Sequence, residues 1–228
     1  MVMEITQTEA QNLTEELLLY QKQDLPITEK LSGISRIPEE VLVRMTDSEK
    51  KAFWINMYNG FFLEASKKFS RKTIFKERFI HVGGQVLSLD DIEHGILRRA
   101  QWVKGFGFVV NFFLLFRFKG WMVQKLDFRI HFALNCGAAG CPLLSIYHPE
   151  KIDQELEEAE AFFIKGDTIL KGASVYVSRL FLWYLGDFGG FGGIRALLLK
   201  HELLPLDDLT YKIRFSPYDY SPKIGVFR

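Results

Sequence analysis

The stretch Phe53-Trp54-Ile55-Asn56-Met57-Tyr58-Asn59-Gly60-Phe61-Phe62-Leu63 constrains the fold more than any other part of the chain. It belongs to a proline-free run from Ala52 to Lys68, with Asp47 or Ser48 able to cap its start and Glu49 favourable in the first turn. A helix built from these residues is apolar nearly all the way round, and only a central position in a core tolerates that. Two asparagines sit inside it. A buried amide must find hydrogen-bond partners, so Asn56 and Asn59 are expected to grip a loop or to point into a cavity as binding residues.

The remaining chain reads as elements wrapped around this helix. Thr8 to Lys22 has helical spacing through Leu13, Leu17 and Leu18, and Pro38 opens a short helix to Met45. Phe79 to Val82 and Gln85 to Leu87 read as strands of a hairpin turned at Gly83-Gly84. Ser88-Leu89-Asp90-Asp91 has capping-box spacing ahead of a helix buried through Ile92, Ile96 and Leu97. The run Phe106 to Phe118 fits either a strand or a buried helix of the core, with the strand favoured. Arg129 to Cys136 alternates, with Ile130, Phe132, Leu134 and Cys136 on one face and His131, Ala133 and Asn135 on the other, as a strand would. Pro149 opens an amphipathic helix through Ile152, Leu156, Ala159 and Phe163. A strand at Ser174 to Val177, helices to Leu185 and over Ile194 to Leu204, and a strand at Tyr211 to Phe215 complete the chain. The predicted class is α+β: a central buried helix packed against a small, mostly antiparallel sheet with surrounding helices. Residues 1–46 are expected to form a helical extension and residues 47–228 a single domain.

Charge and cysteine usage narrow the function. With 29 basic and 28 acidic side chains the net charge is +1, which gives no long-range field to draw nucleic acid or an anionic membrane. The longest apolar run, Phe106 to Phe116, is shorter than the roughly 20 residues of a spanning helix, so no membrane span is expected. Met1 to Asn12 lacks the basic and apolar regions of a signal peptide, which makes the cytoplasm the expected location, with an exported protein trimmed of its signal as the alternative. The two cysteines, Cys136 and Cys141, make neither a disulfide framework nor a Cys-x-x-Cys motif, and no cofactor is implied. Asp187-Phe188-Gly189, the glycines at 189, 190, 192 and 193, and His201-Glu202 match fragments of known motifs without the surrounding signatures, and read as chance.

Chemistry concentrates between residues 127 and 142. Asp127, Arg129, His131, Asn135, Cys136 and Cys141 fall there, with Gly137 and Gly140 in a loop whose backbone N–H groups could converge on an oxyanion. A thiolate with an imidazole in reach is the minimum for thiol catalysis. On a strand His131 and Cys136 point to opposite faces, so Cys141 is as good a partner for His131 as Cys136. His131 and Asn135 share a face, which suits an amide orienting an imidazole. The plainer reading makes both cysteines small buried hydrophobes. A second set, Asp90, His94 and Arg98, repeats every four residues on one helical face, with Glu93 beside it. An aspartate one turn before a histidine can fix its tautomer, although such a set is also what a solvated charged stripe looks like.

Three blocks carry a family resemblance: Ala52-Phe-Trp-Ile-Asn-Met-Tyr-Asn59, Ser88-Leu-Asp-Asp-Ile-Glu-His-Gly-Ile-Leu-Arg98 and Arg129-Ile-His-Phe-Ala-Leu-Asn-Cys-Gly-Ala-Ala-Gly-Cys-Pro142. In this order they resemble the signature blocks of the domain of unknown function 547 family, and later stretches agree at Tyr147 to Ile152, Leu180 to Phe188 and Ile213 to Ser221, so the resemblance covers Asp47 to Ser221. The chain departs from the family pattern at Phe128, where proline is usual, in the closing Tyr218-Asp-Tyr-Ser-Pro-Lys223, and in the phenylalanine-rich stretch 106–118. The resemblance implies a fold and a site but no reaction.

Three functional expectations follow. In the first, a thiol-dependent hydrolase or acyl-transfer enzyme uses Cys136 or Cys141 as nucleophile and His131 or His94 as base. Asn135, Asn56 or Asp90 would orient it, Glu93 would be a second carboxylate of the site, and Asn59, Arg129, Gly137 and Gly140 would help to bind an unidentified small molecule or peptide. In the second, the same residues line the pocket of a non-catalytic binding module. In the third, His81, His94, His131 and the cysteines hold zinc.

Overall fold

The computed structural model describes residues 5–204 and 210–228; the first four residues of the polar N-terminal stretch, and Pro205 after the last helix, lie outside the described residues. The central helix, α4 (Asp47–Ser66), follows α1 (Gln7–Lys22), α2 (Thr28–Ser35) and α3 (Glu39–Arg44). Its cap is Thr46, one residue before the expected candidates. The Thr46 hydroxyl accepts from the Glu49 N–H at 3.3 Å and the Glu49 carboxylate accepts from the Thr46 N–H at 2.7 Å. From Ala52 to Leu63 every residue of α4 is buried, as a helix without a polar face requires. α1 lies along it, and one hydrophobic cluster runs from Ala10 through α4 to Leu156.

The hairpin forms as expected. β1 (Ile80–Val82) pairs antiparallel with β2 (Gln85–Leu87), and Gly83 and Gly84 take φ of 57° and 71° in the turn. A second sheet places β4 (Ser174–Val177) between β3 (Ile169–Lys171), antiparallel, and β5 (Lys212–Phe215), parallel. With α6 (Ile152–Asp167), α7 (Leu180–Trp183) and α8 (Gly190–Lys200), β4 builds a second apolar cluster that also takes in Phe132. The α+β class holds, with the hairpin packed into the cluster of the central helix and the three-stranded sheet in the second cluster.

Three local expectations are corrected. The segment after Ser88 is a π-helix over Asp91–Leu97, with Arg98 N–H donating to the Glu93 carbonyl at 2.8 Å, five residues back. The expected capping box is present, Ser88 and Asp91 each accepting from the other's N–H at 3.1 Å. Phe128–Phe132 is a 3-10 helix rather than a strand, because the Asp127 carboxylate accepts from the Arg129 N–H and holds a turn. The phenylalanine-rich stretch is not a strand, and of its phenylalanines Phe118 alone is buried in the core. It forms a hairpin-like loop and the short helix α5 (Phe112–Arg117), which has no buried residue. Among the described residues no helix is long and apolar enough to cross a membrane.

Candidate functional site

A cavity of ≈ 450 Å³ opens between the π-helix, the 3-10 helix, α7 and the C-terminal segment. Each wall follows from local sequence. The π-helix and the residue before it bring Asp90, Glu93 and His94 to the cavity wall, and Arg98, the residue after it, is buried. The 3-10 turn started by Asp127 brings His131 to the same wall. Tyr184, one residue past α7, and Tyr58 of α4 close the wall, and Asp187, three residues on, reaches back beneath it.

The charged groups form one connected chain. Arg98 makes a two-pronged contact with Asp187, from Nε to Oδ2 at 2.6 Å and from Nη2 to Oδ1 at 3.0 Å, and both side chains are fully buried. Asp187 Oδ2 lies 2.8 Å from His131 Nε2. Arg98 Nη1 lies 2.8 Å from His94 Nδ1. The Tyr184 hydroxyl donates to Glu93 at 2.7 Å, and the Tyr58 hydroxyl donates to its other oxygen at 3.3 Å. Tyr184 also stacks on the His131 ring at 3.9 Å and lies under the Arg98 guanidinium at 4.7 Å.

These contacts fix protonation states. Burial works to raise the Asp187 carboxyl, but hydrogen bonds from His131 and Arg98 outweigh it and hold the group below its ordinary range. Asp187 is therefore an acceptor, and His131 must carry its proton on Nε2, leaving the Nδ1 lone pair unprotonated. Burial lowers the affinity of His131 for a second proton despite Asp187. His94 is lowered for the same first reason, and since an arginine only donates, its Nδ1 accepts and its proton sits on Nε2. Burial would raise Glu93 too, but His94 and Arg98 keep it below its usual value. Asp90 is the exception. Burial, then the Glu93 charge, raises it to about 7. The tyrosine hydroxyls of residues 58 and 184 are pushed far up, first by burial and then by Glu93, so both stay donors.

The opposite wall is sulfur and aromatic rings. Cys136 and Cys141 both line the cavity, and they are joined in a disulfide. This corrects the expectation of two free thiols: the 3-10 turn and the loop after it bring the Cα atoms to 6.0 Å, within bridging range. The Tyr218 hydroxyl lies 3.3 Å from Cys136 Sγ and 3.0 Å from Cys141 Sγ. Arg71, Lys72 and Lys76, all exposed, line the cavity as well.

The expected residues divide into two groups. Asp90, Glu93, His94, His131, Cys136 and Cys141 meet at the cavity. Asn56, Asn59, Asn135, Arg129, Gly137 and Gly140 are not among its lining residues. The two helix asparagines do grip loops: Asn56 pairs with both the N–H and the carbonyl of Tyr147, and Asn59 with the Ala133 carbonyl and the Asn135 N–H. Asn135 does not orient an imidazole. Its amide donates to the Pro142 carbonyl and accepts from the Gly137 N–H, which clasps the disulfide loop. Arg129 forks onto Asp127 and reaches Asp153. The anticipated donor nest is spent internally, since the N–H groups of Gly137, Ala139, Gly140 and Cys141 already have acceptors. His81 lies exposed on the β1 hairpin, and among the described residues no group of three or more His, Cys, Asp or Glu side chains is placed to hold a metal ion.

Asp187 and Tyr184 escaped the sequence reading. Asp187 stands in a tripeptide that matches a kinase motif only by chance, and the one signal for both residues is their place in the Leu180 to Phe188 segment that resembles the family pattern. Arg98 was visible only as part of a charged stripe.

The family model described as "Protein of unknown function, DUF547" matches residues 42–164, more than half of the chain. The chain belongs to this family. Neither the curated proteins nor the solved structures gave a match.

Proposed function

We propose that the cavity is the active site of a hydrolase that activates water by acid–base catalysis on a small anionic substrate. The observation that carries this reading is the wall of buried ionisable groups. Arg98, Asp187, Glu93, His94 and His131 are removed from water together, at a cost that a well-packed apolar wall would not incur. Such clusters in a cavity, with protonation equilibria pulled apart, are what acid–base chemistry needs. His131 is the base: Asp187 fixes its ring and tautomer, and Nδ1 takes a proton from water. Asp90, raised to about 7, is the group able to hold a proton for the leaving atom near neutral pH. Arg71, Lys72 and Lys76 give the cavity a cationic side suited to a carboxylate or phosphate on the substrate.

A thiol-dependent version is favoured by one observation: both sulfurs line the same cavity as His94 and His131. It requires the disulfide to be reduced first, since a bonded sulfur is no nucleophile.

The test is a panel of chromogenic carboxylate esters, phosphomonoesters and anilides, with wild type, His131→Ala and Cys141→Ser assayed with and without dithiothreitol. Turnover that falls about 100-fold or more in His131→Ala, and survives in Cys141→Ser, supports the water mechanism. Turnover appearing only after reduction and absent from Cys141→Ser replaces it with the thiol version. Probes that raise the melting temperature without being turned over make the cavity a binding pocket.

A further inference from the structure

The phenylalanine-rich stretch is the largest departure from ordinary burial in the molecule. α5 carries Phe112, Phe113 and Phe116 on its outer face at 69%, 71% and 77% exposure, while Leu114 and Leu115 pack inward against the core. The preceding loop adds exposed Trp102, Phe106, Phe108, Val109 and Val110. Monomeric proteins rarely leave so many large apolar side chains together in water.

These side chains are held out on an ordered backbone. The Trp102 N–H donates to the Val109 carbonyl and the Asn111 N–H to the Ala100 carbonyl, both at 2.7 Å, and Gln101 bridges Val110. Asn111 then caps α5, its side-chain oxygen accepting from the Phe113 and Leu114 N–H groups. The loop tip is tied to the body, with the Gly186 N–H donating to the Phe106 carbonyl at 2.7 Å.

Charge identifies the occupant. From Gly95 to Leu126 the chain has six lysines and arginines and no acidic residue, so the balanced total of the whole molecule hides a local excess. Arg98 and Arg117 are paired with Asp187 and Asp91, whereas Lys104, Lys119 and Lys125 are exposed and flank the aromatic face. Two copies meeting here would bring like-charged rims together, while anionic headgroups would neutralise them. Phenylalanine and tryptophan side chains with flanking lysines are what an interfacial anchor uses, and no spanning helix is needed.

We propose that residues 102–119 dock this protein on an anionic lipid surface, with the phenylalanines of α5 and the adjoining loop inserted among the acyl chains and Lys104 and Lys119 at the headgroups.

The test is co-sedimentation of the full chain with equimolar phosphatidylcholine–phosphatidylglycerol vesicles and with pure phosphatidylcholine vesicles. The triple variant Phe112→Ser, Phe113→Ser, Phe116→Ser and the double variant Lys104→Glu, Lys119→Glu are run alongside, with size-exclusion chromatography of each. Partial burial of three phenylalanines makes the expected loss in the triple variant about 100-fold or more. The charge reversal should cost about 10-fold or more on the anionic vesicles and little on the neutral ones. Because the substituted side chains are exposed, thermal unfolding of both variants should match wild type. Failure of the wild type to sediment with either vesicle overturns the proposal. So does a wild-type dimer that the triple variant converts to monomer, which would make a second copy the occupant.

Discussion

Replacing Asp90 with asparagine should make the protein more stable at alkaline pH while removing the acid from the proposed site. The Asp90 carboxyl is raised from its ordinary 3.8 to about 7, by burial first and by the Glu93 charge second. At ~1.4 kcal/mol per pH unit, that displacement corresponds to ~4 kcal/mol. The side chain is still 32% exposed, and solvent screening reduces the figure to ~2 kcal/mol. The sign follows from proton counting. Between 3.8 and about 7 the native state holds a proton that the unfolded chain has released, so stability falls as pH rises through this window. The cost is absent below the window and complete above it. Asp90→Asn never ionises, so its gain over wild type should be ~2 kcal/mol at pH 8 and less than half of that at pH 5. In a chain of this length ~2 kcal/mol is roughly 4–8 °C in Tm, readable by circular dichroism melts of both proteins at the two pH values. An equal gain at both pH values, or a loss at pH 8, would show that the Asp90 charge is not penalised in the fold.

Three further outcomes follow from contacts described above. Arg98→Leu leaves the buried Asp187 carboxylate without its cation and should cost ~3–5 kcal/mol in urea unfolding, far more than any exposed arginine. Asn59→Ala strands the Ala133 carbonyl and the Asn135 N–H in the core and should cost ~2–4 kcal/mol; a cost below ~1 kcal/mol would mean that water replaces the amide. Cys141→Ser opens a loop closed by residues five apart, so its stability loss should be only ~2 kcal/mol, and wild type should show no free thiol to a thiol reagent in denaturant without reductant.

The parts of the fold legible in the sequence are those whose local pattern admits one physical solution. A helix apolar on every side can only be central, and α4 is. Two consecutive glycines between short apolar runs turn a hairpin, and Gly83-Gly84 does. Asn56 and Asn59 had to find partners, and both hold backbone. Where one pattern has two solutions, the reading failed. The alternation of Ile130, Phe132 and Leu134 fits a strand as well as a short 3-10 turn followed by a loop, and the choice was made by the Asp127 cap and by Asn59 occupying the backbone groups that a neighbouring strand would have used. The density of phenylalanine between 106 and 116 suggested core, but burial depends on what lies opposite, and nothing in the local pattern reports that. Of the candidate site, the histidines and acids of the π-helix and the 3-10 turn were in view. Asp187 was not, because its importance comes from Arg98, 89 residues away. The disulfide is not legible in the cysteine spacing, since the pairing depends on how the loop between the two residues folds.

The central claim concerns one nitrogen atom of His131, a residue that lines the cavity: the ring is neutral, with Nε2–H held by Asp187 and Nδ1 unprotonated. Imidazole ¹⁵N NMR of the full chain across a pH titration reads it directly. The geometry predicts a pyrrole-type Nε2 and a pyridine-type Nδ1 for His131 at pH 7, persisting below the ordinary histidine value near 6.5. A His131 ring doubly protonated at pH 7, or carrying its single proton on Nδ1, would contradict the account.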